Sequence, residues 1–303
     1  MPSPQRLLSA EMQRHWIPAY AGTTKNLEIT NMKNHILTLA TIFFTTLASA
    51  QSFDHSHAAF TTLLKKHLVV LDGGKASQVK YAALKKDQPQ LKAYLDSLSK
   101  VSEGEFNGWP KPQRMAFLIN AYNGYTLELI LQNYPVKSIK DIGGVFDNRW
   151  KRKFFKLLGQ DSFLDKIEHE TLRKPGAYNE PRVHFAVNCA SIGCPPLREE
   201  AFVADKLNAQ LEEQAVRFLS DRSRNRYANG KLEVSMIFNW FKEDWASGYT
   251  GFDGKTPAIK SREDYFARYA KQLADSPADQ TAIAEGKATI SHLEYDWNLN
   301  GAN

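Results

Sequence analysis

The sequence predicts an α+β fold: a single helix-rich domain with a small, mostly antiparallel sheet. Three observations carry this. Several segments repeat apolar residues at helical spacing. Residues 114–132 are apolar nearly all round, the pattern of a helix at the centre of a domain. Strand signals are few: an Asn229-Gly230 hairpin turn and two short runs, 183–188 and 288–297.

Taken in order, residues 60–71 carry Phe60, Leu63, Leu64, Leu68 and Leu71 at helical spacing, and Asp72-Gly73-Gly74 ends them as a turn. Residues 79–98 read as helix, with Pro89 as a start or break. The central helix, 114–132, is stopped by Pro135. Residues 143–159 are aromatic and basic, with Phe146, Trp150, Phe154 and Phe155. In 162–173 Ser162 stands three before Asp165, a capping-box spacing, so a capped helix is expected. Val183 to Asn188 reads as a short buried strand that runs into a tight Cys189–Cys194 segment. Residues 207–219 form an amphipathic helix, 227–234 a hairpin, 237–245 and 264–273 further helices, and 288–297 a closing strand.

The first fifty residues stand apart. Met32-Lys33-Asn34-His35 is a short basic region. Residues 36–47 are apolar or threonine throughout, and Ala48-Ser49-Ala50 is a small-x-small site. That order is the layout of a secretory signal peptide, 32–50. The apolar run is shorter than the ~20 residues a spanning helix needs, so no stable membrane span is expected after cleavage. Residues 1–31 have mixed polarity and resemble a translated bacterial repeat element. They are expected to lie upstream of the true start at Met32, which leaves 51–303 as one domain in the periplasm or outside the cell.

Composition narrows the classes. The formal net charge is +6, and aromatic residues make up 12%. The basic clusters, Lys85-Lys86 and Lys151-Arg152-Lys153, are short and dispersed, which reads as solvated surface and not as a nucleic-acid stripe. No phosphate-binding Gly-rich loop, dinucleotide fingerprint, Gly-x-Ser-x-Gly or His-Glu-x-x-His motif is present. Nothing in the sequence implies a cofactor.

Four segments together carry a resemblance. They are Asn120-Ala121-Tyr122-Asn123; Ile167-Glu168-His169-Glu170-Thr171-Leu172-Arg173; Arg182-Val183-His184-Phe185-Ala186-Val187-Asn188-Cys189 running on to Cys194-Pro195-Pro196; and Tyr295-Asp296-Trp297-Asn298-Leu299-Asn300. The chain resembles the DUF547 family, a domain of unknown function of bacteria and plants. The family implies no established activity. In it, the position of Cys189 is the more regular of the two cysteines, and the Cys194 position also holds other residues.

The candidate chemistry centres on Cys189, a cysteine near histidines that becomes a nucleophile if its thiol is activated. In a strand, His184 and Cys189 point to opposite faces roughly 16 Å apart at ~3.3 Å per residue, so His169 is the better expected base. The rival reading pairs Cys189 with Cys194, since five residues across a Gly-containing loop can reach the ~5.5 Å Cα separation a disulfide prefers. The histidines and Cys189 match no zinc spacing. Asn120 and Asn123 share one helical face and either orient a histidine or cap a neighbouring loop. His55 and His57 are expected in solvent. Arg173 and Arg182 are expected to pair with Glu168 or Glu170, or to bind an anion. Two functions stand side by side. One is a thiol-dependent hydrolase or acyl transferase, with Cys189 as nucleophile, His169 or His184 as base and Asn120 or Asn123 as orienter. The other is a non-catalytic binding or scaffold domain, with a structural disulfide and an aromatic surface of Trp150, Trp240 and Trp245.

Overall fold

The computed structural model describes residues 52–144, 148–246, 250–254 and 258–302. The expected leader and signal peptide, and Phe146, lie outside them.

Helix α1 (Ala58–His67) turns Phe60, Leu63 and Leu64 inward. It stops where Val69 and Val70 begin an extended chain, as β-branched residues favour. Strand β1 (Leu68–Leu71) then pairs antiparallel with β2 (Ala76–Val79). Leu68 and Leu71, expected in the helix, therefore belong to a hairpin. The Asp72-Gly73-Gly74 turn is where the sequence puts it, with Gly73 at φ 65°, a conformation glycine adopts without strain. Helices α2 (Tyr81–Lys86) and α3 (Gln88–Ser99) divide just before Pro89, which sits in the first turn of α3. Helix α4 (Glu103–Gly108), which the sequence reading missed, is capped by the Ser102 hydroxyl.

Helix α5 (Lys111–Asn133) is the axis of the molecule, and every residue from 115 to 131 is buried. Strands β3 (Phe155–Leu157) and β4 (Gln160–Ser162) form a tight hairpin. Ser162 ends β4 opposite Phe155, and the N-cap position of α6 falls on Phe163, which offers no side-chain cap. The helix expected over 162–173 is a short α6 (Leu164–Ile167) that widens into a single π-turn, Glu168–Leu172. The strand expected over 183–188 is instead a tight helical turn, Pro181–Phe185. Pro181 presets its first φ, and the Glu180 carboxylate accepts from the Arg182 N–H at 3.1 Å. A short buried apolar run has no period that separates strand from helix.

Helix α7 (Leu207–Leu219) is as expected. Strands β5 (Arg226–Ala228) and β6 (Lys231–Ser235) close around Asn229-Gly230, both at positive φ. Helices α8 (Ile237–Trp240), α9 (Lys242–Ala246), α10 (Arg262–Arg268), α11 (Ala270–Leu273) and α12 (Pro277–Ala284) follow. Strand β7 (Thr289–Leu293) lies parallel to β6, so this three-stranded sheet is mixed. Among the described residues the sheet content is thus three small separate pieces, with antiparallel pairing in all three. Tyr295 and Trp297, expected in the closing strand, lie beyond it.

Two apolar cores result. The larger surrounds α5; the smaller lies among α7, β6 and α8–α11 and contains Phe185, Phe238 and Trp245. Trp245 is fully buried there and is no part of an exposed aromatic surface. His57, expected in solvent, is buried with its Nδ1 at 2.8 Å from the Tyr94 hydroxyl.

The two internal amides of α5 hold neighbouring chain. Asn120 donates to the Phe202 carbonyl at 2.8 Å and accepts from the Phe202 N–H at 2.9 Å. Asn123 donates to the Ala186 carbonyl at 2.9 Å and accepts from the Asn188 N–H at 2.8 Å. The Asn120→Ala variant strands both backbone groups of Phe202 inside the core. Its expected cost is about 3 kcal/mol, read from urea unfolding midpoints. Lys287→Ala, at an exposed lysine, should leave the urea midpoint unmoved.

Candidate functional site

A cavity of about 280 Å³ opens at the seam between the two cores. Helix α5 supplies Tyr122, and the α6 turn supplies Asp165, Glu168 and His169. The 184–195 segment supplies His184, Cys189 and Cys194; Trp150, Trp240, Phe241, Tyr295 and Trp297 form an aromatic wall. His169, His184 and Cys189, scattered in the sequence, therefore meet in one place.

His184 is buried and sandwiched between rings. It stacks on Phe241 at 4.4 Å and on Trp245 at 5.2 Å. Its Nε2 lies 2.6 Å from Asp244 Oδ2. Arg173 Nε donates to the same oxygen at 2.6 Å, and its NH2 reaches Asp244 Oδ1 at 3.3 Å. Desolvation opposes a charge on Asp244, yet the bonds from His184 and Arg173 win and hold its carboxyl at about 2. A carboxylate beside Nε2 keeps the proton on that nitrogen. Nδ1 is left as the basic one. Burial then lowers the His184 pKa, with Asp244 acting against the shift.

His169 is differently used. Its Nδ1 accepts from Arg173 NH1 at 2.7 Å, and its Nε2 lies 3.7 Å from Asp165 Oδ1. Burial and then the Arg173 charge lower its pKa. A neutral ring accepting at Nδ1 carries its proton on Nε2, so His169 is a donor in the cavity and not its base. The preference for His169 rested on a strand at 183–188. With a helical turn there, both His184 and Cys189 line the cavity, and the argument against pairing them falls.

Asp165 and Glu168 are carboxyls whose pKa burial raises. The Tyr122 hydroxyl hydrogen-bonds Glu168. Arg173 does not pair with Glu168 or Glu170 as expected; Arg182 binds Glu180 and Glu212. Asn120 and Asn123 do not line the cavity, and their amides are committed to backbone, so neither orients a histidine. Asp244 does. The sequence reading passed over Asp244, and no local signal marks it: it stands sixty residues from His184 in an aromatic helix.

Cys189 and Cys194 form a disulfide with Cα atoms 6.3 Å apart. Gly193 lets the C-terminal segment close on this loop, since a side chain there would lie 2.9 Å from the Tyr295 ring and 3.0 Å from the Asp296 backbone. Ile192 and Gly193 N–H groups donate to the Asn298 and Asp296 carbonyls at 2.9 and 2.8 Å. This zipper brings the Tyr295 hydroxyl within 3.3 Å of Cys189 Sγ and 3.1 Å of Cys194 Sγ. Among the described residues, no group of three or more His, Cys, Asp or Glu side chains is arranged to hold a metal ion, and no helix is long and apolar enough to cross a membrane.

Residues 106–219 match the family model described as a protein of unknown function, DUF547. Over these residues the chain is similar to the DUF547 family. Neither the curated proteins nor the solved structures contain a match to the chain. The matched segment contributes His169, His184 and both cysteines, while Asp244, Phe241, Tyr295 and Trp297 come from beyond it. The cavity is thus completed by chain outside the matched segment.

A pH titration tests the His184 environment. Followed by nitrogen NMR, His184 should keep its proton on Nε2 at neutral pH and titrate below 6.5. The sign for stability follows. The unfolded chain takes up this proton at about 6.5 and the folded chain only at lower pH, so the contribution is whole above 6.5 and declines as pH falls toward the folded value. A midpoint at or above 6.5 contradicts the assignment.

Proposed function

We propose that this cavity is an active site for thiol-dependent acyl transfer or hydrolysis, working when the Cys189–Cys194 bond is reduced. One observation supports the reading above the others: Cys189 and an aspartate-oriented histidine, His184, line the same ligand-sized cavity. The roles are then Cys189 as nucleophile, His184 Nδ1 as base and Asp244 as orienter. The Cys189 proton passes to His184, and the sulfur adds to a carbonyl carbon. The leaving group departs with the proton from His184, which leaves a thioester at Cys189 for water or an amine to cleave. His169 Nε2–H and the raised carboxyl of Glu168 are donors to a carbonyl or leaving group. The aromatic wall would seat an apolar or planar acyl portion. The proposal includes export: a signal peptide at residues 32–50 would deliver residues 51–303 to the periplasm or beyond.

The disulfide itself favours a second reading, a non-catalytic binding domain in which the bond pins the loop and the aromatic wall of Trp150, Trp240 and Trp297 holds a ligand. Reduced protein mixed with an activated aryl ester separates the two. The acyl-transfer reading expects a burst of released phenol approaching one per chain, a thioester mapped to Cys189, and loss of the burst by about 100-fold in His184→Ala with the fold intact by circular dichroism. No thioester in reduced protein, or an equal burst in His184→Ala, would leave the binding reading.

A further inference from the structure

The cavity wall contains both cysteines, and the two sulfurs are not equivalent. Cys189 is partly exposed there, while Cys194 is buried at 5%. Hydroxyls reach both sulfurs, with Ser191 Oγ at 3.2 Å and Tyr295 Oη at 3.3 Å from Cys189 Sγ, but the buried sulfur also receives a backbone N–H and the shorter Tyr295 contact. The Cys189 backbone N–H points to Cys194 Sγ at 2.9 Å. The Tyr295 hydroxyl donates to Cys194 Sγ at 3.1 Å, and itself accepts from the Ser191 hydroxyl at 3.0 Å. A relay of this kind strengthens its final donor. Donors aimed at a sulfur stabilise its thiolate, and a stabilised thiolate is the better leaving group in thiol–disulfide exchange. The cavity that Cys189 lines is also lined by His184, by His169 and by the aromatic wall.

We propose that the Cys189–Cys194 bond is a reactive disulfide that exchanges with small thiols entering this cavity. A thiol RSH gives its proton to His184 Nδ1, and its sulfur attacks Cys189 Sγ. The Cys189–Cys194 bond breaks with both its electrons on Cys194, which leaves as a thiolate held by the Cys189 N–H and Tyr295. Cys189 now carries a mixed disulfide with R. A second RSH attacks the R sulfur, releases RSSR and frees Cys189; the protons of the two thiols finish on the two cysteines. Two thiols are oxidised to one disulfide and the protein disulfide is reduced to two thiols, so atoms and electrons balance. The faces of the aromatic wall favour a neutral or cationic thiol such as an aminothiol over an anionic one.

The exchange stands on the disulfide and its donors and does not require acyl transfer. Its test reads no acyl-enzyme: a protein that exchanges but forms no thioester keeps this inference and loses the other, and a protein with the reverse behaviour does the opposite.

The full folded protein is mixed with cysteamine at neutral pH, quenched with iodoacetamide and mapped by peptide mass. The expected intermediate carries cysteamine on Cys189 and a carbamidomethyl group on Cys194. Tyr295→Phe should slow the exchange about tenfold, the effect of one hydrogen bond on the leaving thiolate. As a positioning residue, Tyr295 has a second readout. In the Cys189→Ala variant, the pH at which Cys194 becomes alkylable should rise when Tyr295→Phe is added. A disulfide that resists cysteamine until the protein is unfolded, an adduct found on Cys194, or an unmoved alkylation profile in the double variant would each overturn the proposal.

Discussion

The arrangement depends on one side chain, Asn123. Its amide binds the Ala186 carbonyl and the Asn188 N–H, one on each side of Val187, and so clamps the backbone that joins His184 to Cys189. The clamp is rigid because α5 is buried along the whole of 115–131 and cannot turn to release it. In a medium without water, the two backbone groups and the amide have no other partners, and losing the pairing costs each its desolvation. Asn188 extends the clamp, donating to the Pro195 carbonyl at 2.8 Å and accepting from the Ala190 N–H at 2.9 Å. A polar network inside an apolar helix thereby sets the path of the chain that lines the cavity.

Within the cavity, charge is divided by competition between burial and partners. Burial alone would neutralise every acid there. Asp244 escapes because two strong donors, His184 and Arg173, converge on it, while Asp165 and Glu168 lack such a pair and are raised. One carboxylate is kept ionised to orient an imidazole, and two carboxyls are moved toward the protonated form. Arg173 ties the halves together, since it also donates to His169 and lies over the Phe241 ring at 4.3 Å.

What could be read in the sequence follows from physical range. The helices α5 and α7 and the Asn229-Gly230 hairpin are legible because period and turn chemistry act over a few residues. Residues 183–188 were misread because a short buried run has no period, and Ser162 because a capping spacing also occurs at a strand end. The histidines and cysteines of the site were legible as a cluster of reactive types. Their partners were not: Asp244 and Tyr295 come from distant chain, and nothing local tells an aspartate facing solvent from one facing His184. Trp240 and Trp245 share one aromatic segment, and only packing decides that the first borders the cavity and the second is core.

In the proposed mechanism His184, oriented by Asp244, serves Cys189. The most direct measurement is a high-resolution crystal structure of the protein reduced and held free of oxidant. The account predicts His184 Nε2 still bonded to Asp244 and Nδ1 within about 3.5 Å of Cys189 Sγ, a hydrogen-bonded thiol–imidazole pair. A reduced structure in which Cys189 Sγ turns away from the cavity, or Nδ1 is committed to another partner, would contradict it.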